Sequence, residues 1–319
     1  MVKKNNSSKK TDNKKIDNKK NDNKKTIVAV IVCAIISASV LSITFTVDST
    51  TLPENSGMMS DYIKNLSVTH TELVQNTPYF HVYLTPADLN RVQNNFPHVD
   101  GLRLALNELN AEQFIDDLKP NNNSVVIFPV FTAAAYHEPG FYTYFGGNCD
   151  ESCITDLSFE KFNFGFGGSG GTAQLLYFAG YDFLTDIEVD RNPELLENYD
   201  TVILLHNEYV TKKEFDAISN HPNLIFLHPN ALYAEIDVNY DDNTMTLIRG
   251  HQYPPPEKPA NGFDYAIEQE FHHYEYDTKC ENWEFIEIEN GFHLNCYPET
   301  IITENLDILL KMKELTSDS

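Results

Sequence analysis

Residues 206 to 209 read His-Asn-Glu-Tyr and end an apolar run, TVILL, that has the composition of a buried strand. Imidazole, carboxylate and phenol side chains gathered at one point are the groups that ligate metals and move protons. Similar groupings follow two other apolar runs: Tyr136, His137 and Glu138 come after SVVIFPVF, and His228, Asn230 and Tyr233 come after NLIFL. If the three junctions meet, His137, His206 and His228 form an imidazole set suited to zinc or non-haem iron, with Glu208 or Tyr209 as ligand or general base. Glu138, Asn230 and Tyr233 would then contact a ligand, and phenolate ligation by Tyr136, Tyr209 or Tyr233 is a further option. The plainer reading is that each histidine hydrogen-bonds the loop after its own strand. His272 and His273 could contribute one ring at most, because neighbours on a strand face opposite ways.

Such residues meet only if the elements carrying them are neighbours. From residue 124 onward, β-rich and helical patterns alternate: SVVIFPVF, GTAQLLYFAG, YDFLTDIEV, NPELLENY, TVILL, TKKEFDAISNH and NLIFL. The alternation predicts an α/β fold with a flavodoxin-like parallel sheet and flanking helices. A C-terminal β-hairpin with Asn290-Gly291 at its turn and a last helix, TENLDILLKMKEL, follow. Ligands bind such sheets at the carboxyl ends of the strands, which is where the three histidines are expected. Upstream, HVYL reads as a strand, PADLNRVQ as a helix and GLRLALNELNAEQFIDDL, residues 101 to 118, as an amphipathic helix. One stretch, 132 to 170, is too long for an ordinary connection, and its aromatic and glycine content suggests a lid or rim. It contains Gly165-x-Gly167-x-x-Gly170, a literal dinucleotide fingerprint that lacks the strand such a motif follows. A helix start at Ser169 suits an anionic or carbonyl ligand better.

The N-terminal region carries a different message. Residues 1 to 25 hold ten Lys and three Asp and read as a solvated, disordered tail. Residues 26 to 47 are uncharged over 22 positions, enough for a transmembrane helix, and the Lys-rich flank would keep the tail cytoplasmic. A cleaved signal peptide is the rival reading, and both export the remainder. The expected organisation is tail, membrane helix, a stalk at 48 to 68 and an extracytoplasmic α/β domain at 69 to 319 with its core at 124 to 236. The expected location is the cell membrane, with the lipid bilayer as partner. Without the tail the chain has 13 basic against 44 acidic residues, which argues against nucleic acid as a partner. Asn65 and Asn122 lie in glycosylation acceptor patterns. Cys33 lies in the apolar span. The other four cysteines are expected as Cys149 with Cys153 and Cys280 with Cys296, a four-thiolate zinc site being the alternative.

The run from Thr172 to Ile236 resembles the glutamine-amidotransferase-like domain that closes the large subunit of N,N-dimethylformamidase. The resemblance is carried by Tyr181-Asp182-x-Leu184-Thr185-Asp186, by His206-x-Glu208-Tyr209-x-Thr211 and by Asn230-x-x-Tyr233. It implies a class I glutamine amidotransferase-like sheet and a site at the strand ends. It further implies iron held by two Tyr and one Glu, with Tyr209 in one tyrosine position and the stretch Gly168 to Gly171 where the second would stand. The nucleophilic Cys of true glutamine amidotransferases is absent, so thiol catalysis is not expected. The sequence therefore suggests an exported domain whose strand-end site binds a metal or small ligand and hydrolyses an amide-type bond. The alternative is a non-catalytic surface module for a glycan or envelope protein.

Overall fold

The computed structural model describes residues 71–93, 102–160, 168–263, 277 and 279–316. The chain divides into two units, Met1–Thr51 and Leu52–Ser319, and the described residues all belong to the second. The Lys-rich tail, the apolar span 26–47, Cys33, the stalk, Asn65, Gly165, Gly167, His272 and His273 lie outside the described residues.

Three sheets are present among the described residues. The first is antiparallel: β1 (Glu72–Asn76), β2 (Phe80–Leu84) and β3 (Arg103–Leu106) lie in that order. Phe80, Val82 and Leu84 point inward from β2 while the residues between them are half-buried, the period-two pattern of a one-faced strand. Helix α1 (Pro86–Gln93) follows β2, and α2 (Ala111–Leu118) follows β3 with Phe114 and Leu118 buried. Residues 101 to 118 are thus not one helix. The run Arg-Leu-Ala-Leu fits either period, and pairing of Arg103–Leu106 with β2 decides for a strand.

The second sheet has six strands and forms the centre. It contains β4 (Ser124–Phe128), β6 (Asp182–Thr185), β7 (Thr201–Leu204), β9 (Leu224–Phe226), β12 (Phe285–Ile288) and β13 (Gly291–Leu294), in the spatial order β12-β13-β9-β7-β4-β6. All neighbours are parallel except β12 with β13. Strands β4, β7 and β9 are buried along their whole length, as parallel strands covered on both faces must be. The chain winds from β4 outward to β6, then returns to β7 on the other side of β4, so the switch in winding direction falls between β4 and β7.

The third sheet is small and is built on a corner. After β7 the chain turns through residues 205 to 208 and continues as β8 (Tyr209–Thr211), which pairs with β10 (Ala234–Asn239), itself paired with β11 (Thr244–Arg249) and, beyond it, β5 (Leu157–Ser158). His206, Asn207 and Glu208 therefore occupy the bend between two sheets.

Six further helices follow along the chain. Helix α3 (Val130–Ala135) leaves β4 after Pro129 and α4 (Phe141–Phe145) follows it. Helix α5 (Gly170–Ala179) leads to β6, and α6 (Asp186–Arg191) leaves β6 through a capping box between Thr185 and Glu188. Helix α7 (Lys212–Ser219) continues from β8, capped by Thr211, and the last helix is α8 (Asp307–Leu315). Both expected disulfides are present, Cys149 with Cys153 and Cys280 with Cys296, at Cα separations of 6.1 and 5.4 Å. They point to an oxidising compartment.

Two expectations about the architecture are corrected. The fold is a mixed α/β arrangement of several sheets, because the segment 72–106 forms an antiparallel sheet of its own and 234–249 forms a hairpin within a separate mixed sheet. Among the described residues no helix is long and apolar enough to cross a membrane. The transmembrane helix, and the single-pass membrane location and bilayer contact built on it, are not carried further; the span 26–47 itself lies outside the described residues.

Candidate functional site

Glu208 is the centre of the switch-point corner and is fully buried. Its backbone is fixed first. The Thr132 hydroxyl oxygen, one turn into α3, accepts from the amides of Glu208 and Tyr209 at 3.0 and 3.1 Å, and the Glu208 carbonyl accepts from Tyr233 and Ala234. The Ser169 hydroxyl accepts from the His206 amide at 2.9 Å, tying the corner to the residue before α5.

Four side chains then converge on the carboxylate. The Tyr136 hydroxyl donates to Oε2 at 2.8 Å, and the Tyr142 hydroxyl lies 3.2 and 3.4 Å from Oε1 and Oε2. The two phenol oxygens are 2.7 Å apart. His206 Nε2 stands 3.1 Å from Oε2 and His251 Nε2 stands 2.7 Å from Oε1. His251 is held by rings on several sides, Tyr233, Phe145 and Tyr209 having centroids 4.7, 5.1 and 5.6 Å away. Tyr209 is wholly buried, and its hydroxyl faces this group without a hydrogen bond of good geometry.

The electrostatics divide the members into an anion and neutral phenols. Burial works to raise the Glu208 carboxyl, but the two imidazoles beside it hold it well below the usual carboxylate range. Burial, and then the charge of Glu208, push the phenols of Tyr136, Tyr142 and Tyr209 well above their ordinary value. Solvent reaches the group past Tyr142, 39% exposed, and His251, whose side chain is 21% exposed.

Not every candidate residue arrives here. His137 and Glu138 are exposed, with His137 Nδ1 3.2 Å from the Glu138 carbonyl, so the three-histidine metal set is not assembled. Tyr136 and His137 are successive positions at the end of α3, and the rotation of about 100° per helical residue that turns one ring inward turns the other out. His228 is buried and stacks on His206 with centroids 3.5 Å apart, one ring removed from Glu208. Burial, and then His206 and His293, keep it well below the ordinary imidazole range. Asn230 contributes its amide to His228 Nδ1 at 3.3 Å. Asn122 donates its side-chain amide to the Thr201 hydroxyl and to the Thr316 carbonyl at 2.9 Å each, so its amide nitrogen is engaged within the fold, which does not suit glycosylation. Among the described residues no three His, Cys, Asp or Glu side chains are grouped to hold a metal.

The start of α5 is filled from within. Glu299 accepts from the Gly171 amide at 3.0 Å and the Thr172 amide at 2.8 Å, and burial pushes its carboxyl up to about 6. The position expected to receive an anionic ligand thus holds the chain's own carboxylate. Tyr142 and His251, which complete the Glu208 group, have no counterpart in the sequence signals; one comes from the aromatic insert and the other from a proline-rich loop.

The donors that gather at Glu208 are hard oxygens, with imidazoles at the margin. A six-coordinate cation with bonds of about 2.0–2.1 Å sets neighbouring ligand oxygens roughly 2.9 Å apart. The Glu208, Tyr136 and Tyr142 oxygens are 2.7 to 3.4 Å from one another. With the buried Tyr209 hydroxyl beside them, the set fits a small, highly charged cation. The chain matches no protein-family model and no curated protein.

Proposed function

We propose that the Glu208 centre binds one iron ion through the Glu208 carboxylate and the phenol oxygens of Tyr136 and Tyr142, and that it hydrolyses an amide bond in a small substrate. The observation that carries this reading is the mutual approach of those three oxygens. The resemblance to the dimethylformamidase large subunit, with its two Tyr and one Glu, supports the same choice, with Tyr136 and Tyr142 in place of Tyr209. Bound there, the ion would polarise an amide carbonyl and lower the pKa of a water molecule toward about 7.

The chain's own residues do the rest. Glu208 offers a permanent negative charge at its carboxylate because His206 and His251 stabilise it. Tyr136 and Tyr142 hold protons that must leave when a cation arrives, so uptake releases protons and weakens in acid. Thr132 and Ser169 fix the corner, and the rings of Phe145, Tyr233 and Tyr209 orient His251 at the solvent side.

The test is elemental analysis and visible absorption of the full chain purified after iron loading. Stoichiometric iron with a phenolate-to-iron charge-transfer band, lost in Glu208→Gln, and amine release from a panel of formamides and acetamides support the proposal. A protein that takes up no iron refutes it and favours a non-catalytic module binding a glycan or envelope protein.

A further inference from the structure

Outside the centre, three carboxyl groups are buried together: Asp186 and Asp190 on α6 and Glu214 on α7. Glu214 has no hydrogen-bond partner at either carboxylate oxygen. The two aspartates are engaged in a specific way. Asp186 Oδ2 accepts from the Phe131 amide at 2.9 Å and Oδ1 from its neighbour Ile187 at 2.9 Å. Asp190 Oδ1 accepts from the Thr211 hydroxyl, and Oδ2 accepts from the Tyr240 hydroxyl at 2.6 Å.

Both tethers lead to the Glu208 centre. Phe131 adjoins Thr132, whose oxygen holds the Glu208 and Tyr209 amides, and the same helix is followed directly by its C-cap, Tyr136. Thr132 and Tyr136 are one turn apart, so a shift at the start of α3 moves the backbone anchor of Glu208 and one of its phenol partners together. Thr211 closes β8, the three-residue strand that begins at Tyr209. Asp186 and Asp190 are themselves one turn apart on α6 and face the same way.

We infer that Asp186 and Asp190 are positioning residues for the Glu208 centre, Asp186 acting through α3 and Asp190 through β8. The inference rests on reading that centre as a metal site. A short helical turn thereby sets the spacing between a carboxylate and a phenol carried by different elements. Glu214 lies in the same buried group but makes neither tether, which supplies an internal control.

Two readouts on the full chain separate positioning from general support of the fold. The first is ferric iron affinity, followed by the visible absorption of the loaded protein. The second is hydrogen exchange of the Glu208 and Tyr209 amides in the metal-free protein. Asp186→Ala and Thr211→Val should each weaken iron binding by about 10-fold or more and speed exchange of both amides. Asp186→Asn keeps an acceptor oxygen and should restore both properties, while Glu214→Gln should leave iron binding unchanged and should not speed exchange of either amide. The inference is overturned if Asp186→Ala and Thr211→Val bind iron within about twofold of the unsubstituted chain, or if Glu214→Gln weakens binding as much as they do. If Asp186→Ala does not fold, Thr211→Val tests the β8 tether by the same two readouts. If the unsubstituted chain takes up no iron, the functional proposal fails, and unchanged amide exchange in the variants then decides against positioning as well.

Discussion

Replacing Glu214 by Gln should make the protein more stable at neutral pH and flatten its pH dependence. Burial, and then the charges of Asp186 and Asp190, raise the Glu214 carboxyl well above its ordinary 4.5. The folded state therefore holds this proton more tightly than the unfolded chain does. Its contribution is fully present below 4.5 and is lost as pH rises toward the folded value. Wherever the unfolded chain has lost this proton and the folded one keeps it, each pH unit costs about 1.4 kcal/mol. Glutamine has nothing to titrate, and its amide brings donors into a group of carboxylate acceptors. Urea unfolding of the metal-free, disulfide-intact chain at pH 5, 6 and 7 measures the difference directly. The expected result is a variant whose advantage over the unsubstituted chain grows as pH rises from 5 to 7, by no more than about 1.4 kcal/mol per pH unit. Parallel pH curves for the two proteins, or a variant less stable at pH 7, would refute the reasoning.

His228 should act in the opposite direction. Its folded value lies below the ordinary 6.5, so its contribution is complete above that pH and is lost as pH falls, at about 1.4 kcal/mol per unit. His228→Phe, which preserves a ring against His206, should reduce the acid-side loss seen in thermal unfolding at pH 5 relative to pH 7; an unchanged loss counts against a buried neutral imidazole. Gly291 has φ +156°, and a Cβ there would lie 1.8 Å from the Leu224 carbonyl oxygen. Gly291→Ala should therefore cost about 3 kcal/mol or more, read as a fall in the urea midpoint, and a cost under about 1 kcal/mol would mean that the β9–β13 contact yields.

How far the sequence discloses the site depends on what kind of contact makes each part. The bend at His206-Asn207-Glu208 was legible because an apolar strand stops abruptly in polar residues, and the strand and helix alternation located that stop at the edge of a sheet. Tyr136 was legible for the same reason. Its neighbour His137 was not separable from it by composition, since only the helical phase at the end of α3 sends one ring in and the other out. Tyr142 reaches Glu208 across 66 positions, and His251 arrives on the turn after β11. Neither has a local pattern that announces it, because packing of the insert and of the proline-rich loop places them. The strand Arg103–Leu106 was read as helix because a short apolar run satisfies both periods until a partner strand is known. The hairpin of β10 and β11 was passed over because its residues are half polar and its strands pair largely with each other.

Glu299 gives the start of α5 a permanent occupant. The two amides that a phosphate group would use are saturated by a carboxylate belonging to the same chain, and the cap needs a glycine at 171, since a Cβ there would meet Glu299 Oε2 at 2.6 Å. An incoming phosphate ester would compete with an intramolecular rival at an effective concentration no free ligand matches. It would also approach a molecule with a formal net charge of −24. At the start of α5 a phosphate ester would therefore meet both a carboxylate already seated on the amides it needs and a chain of its own sign.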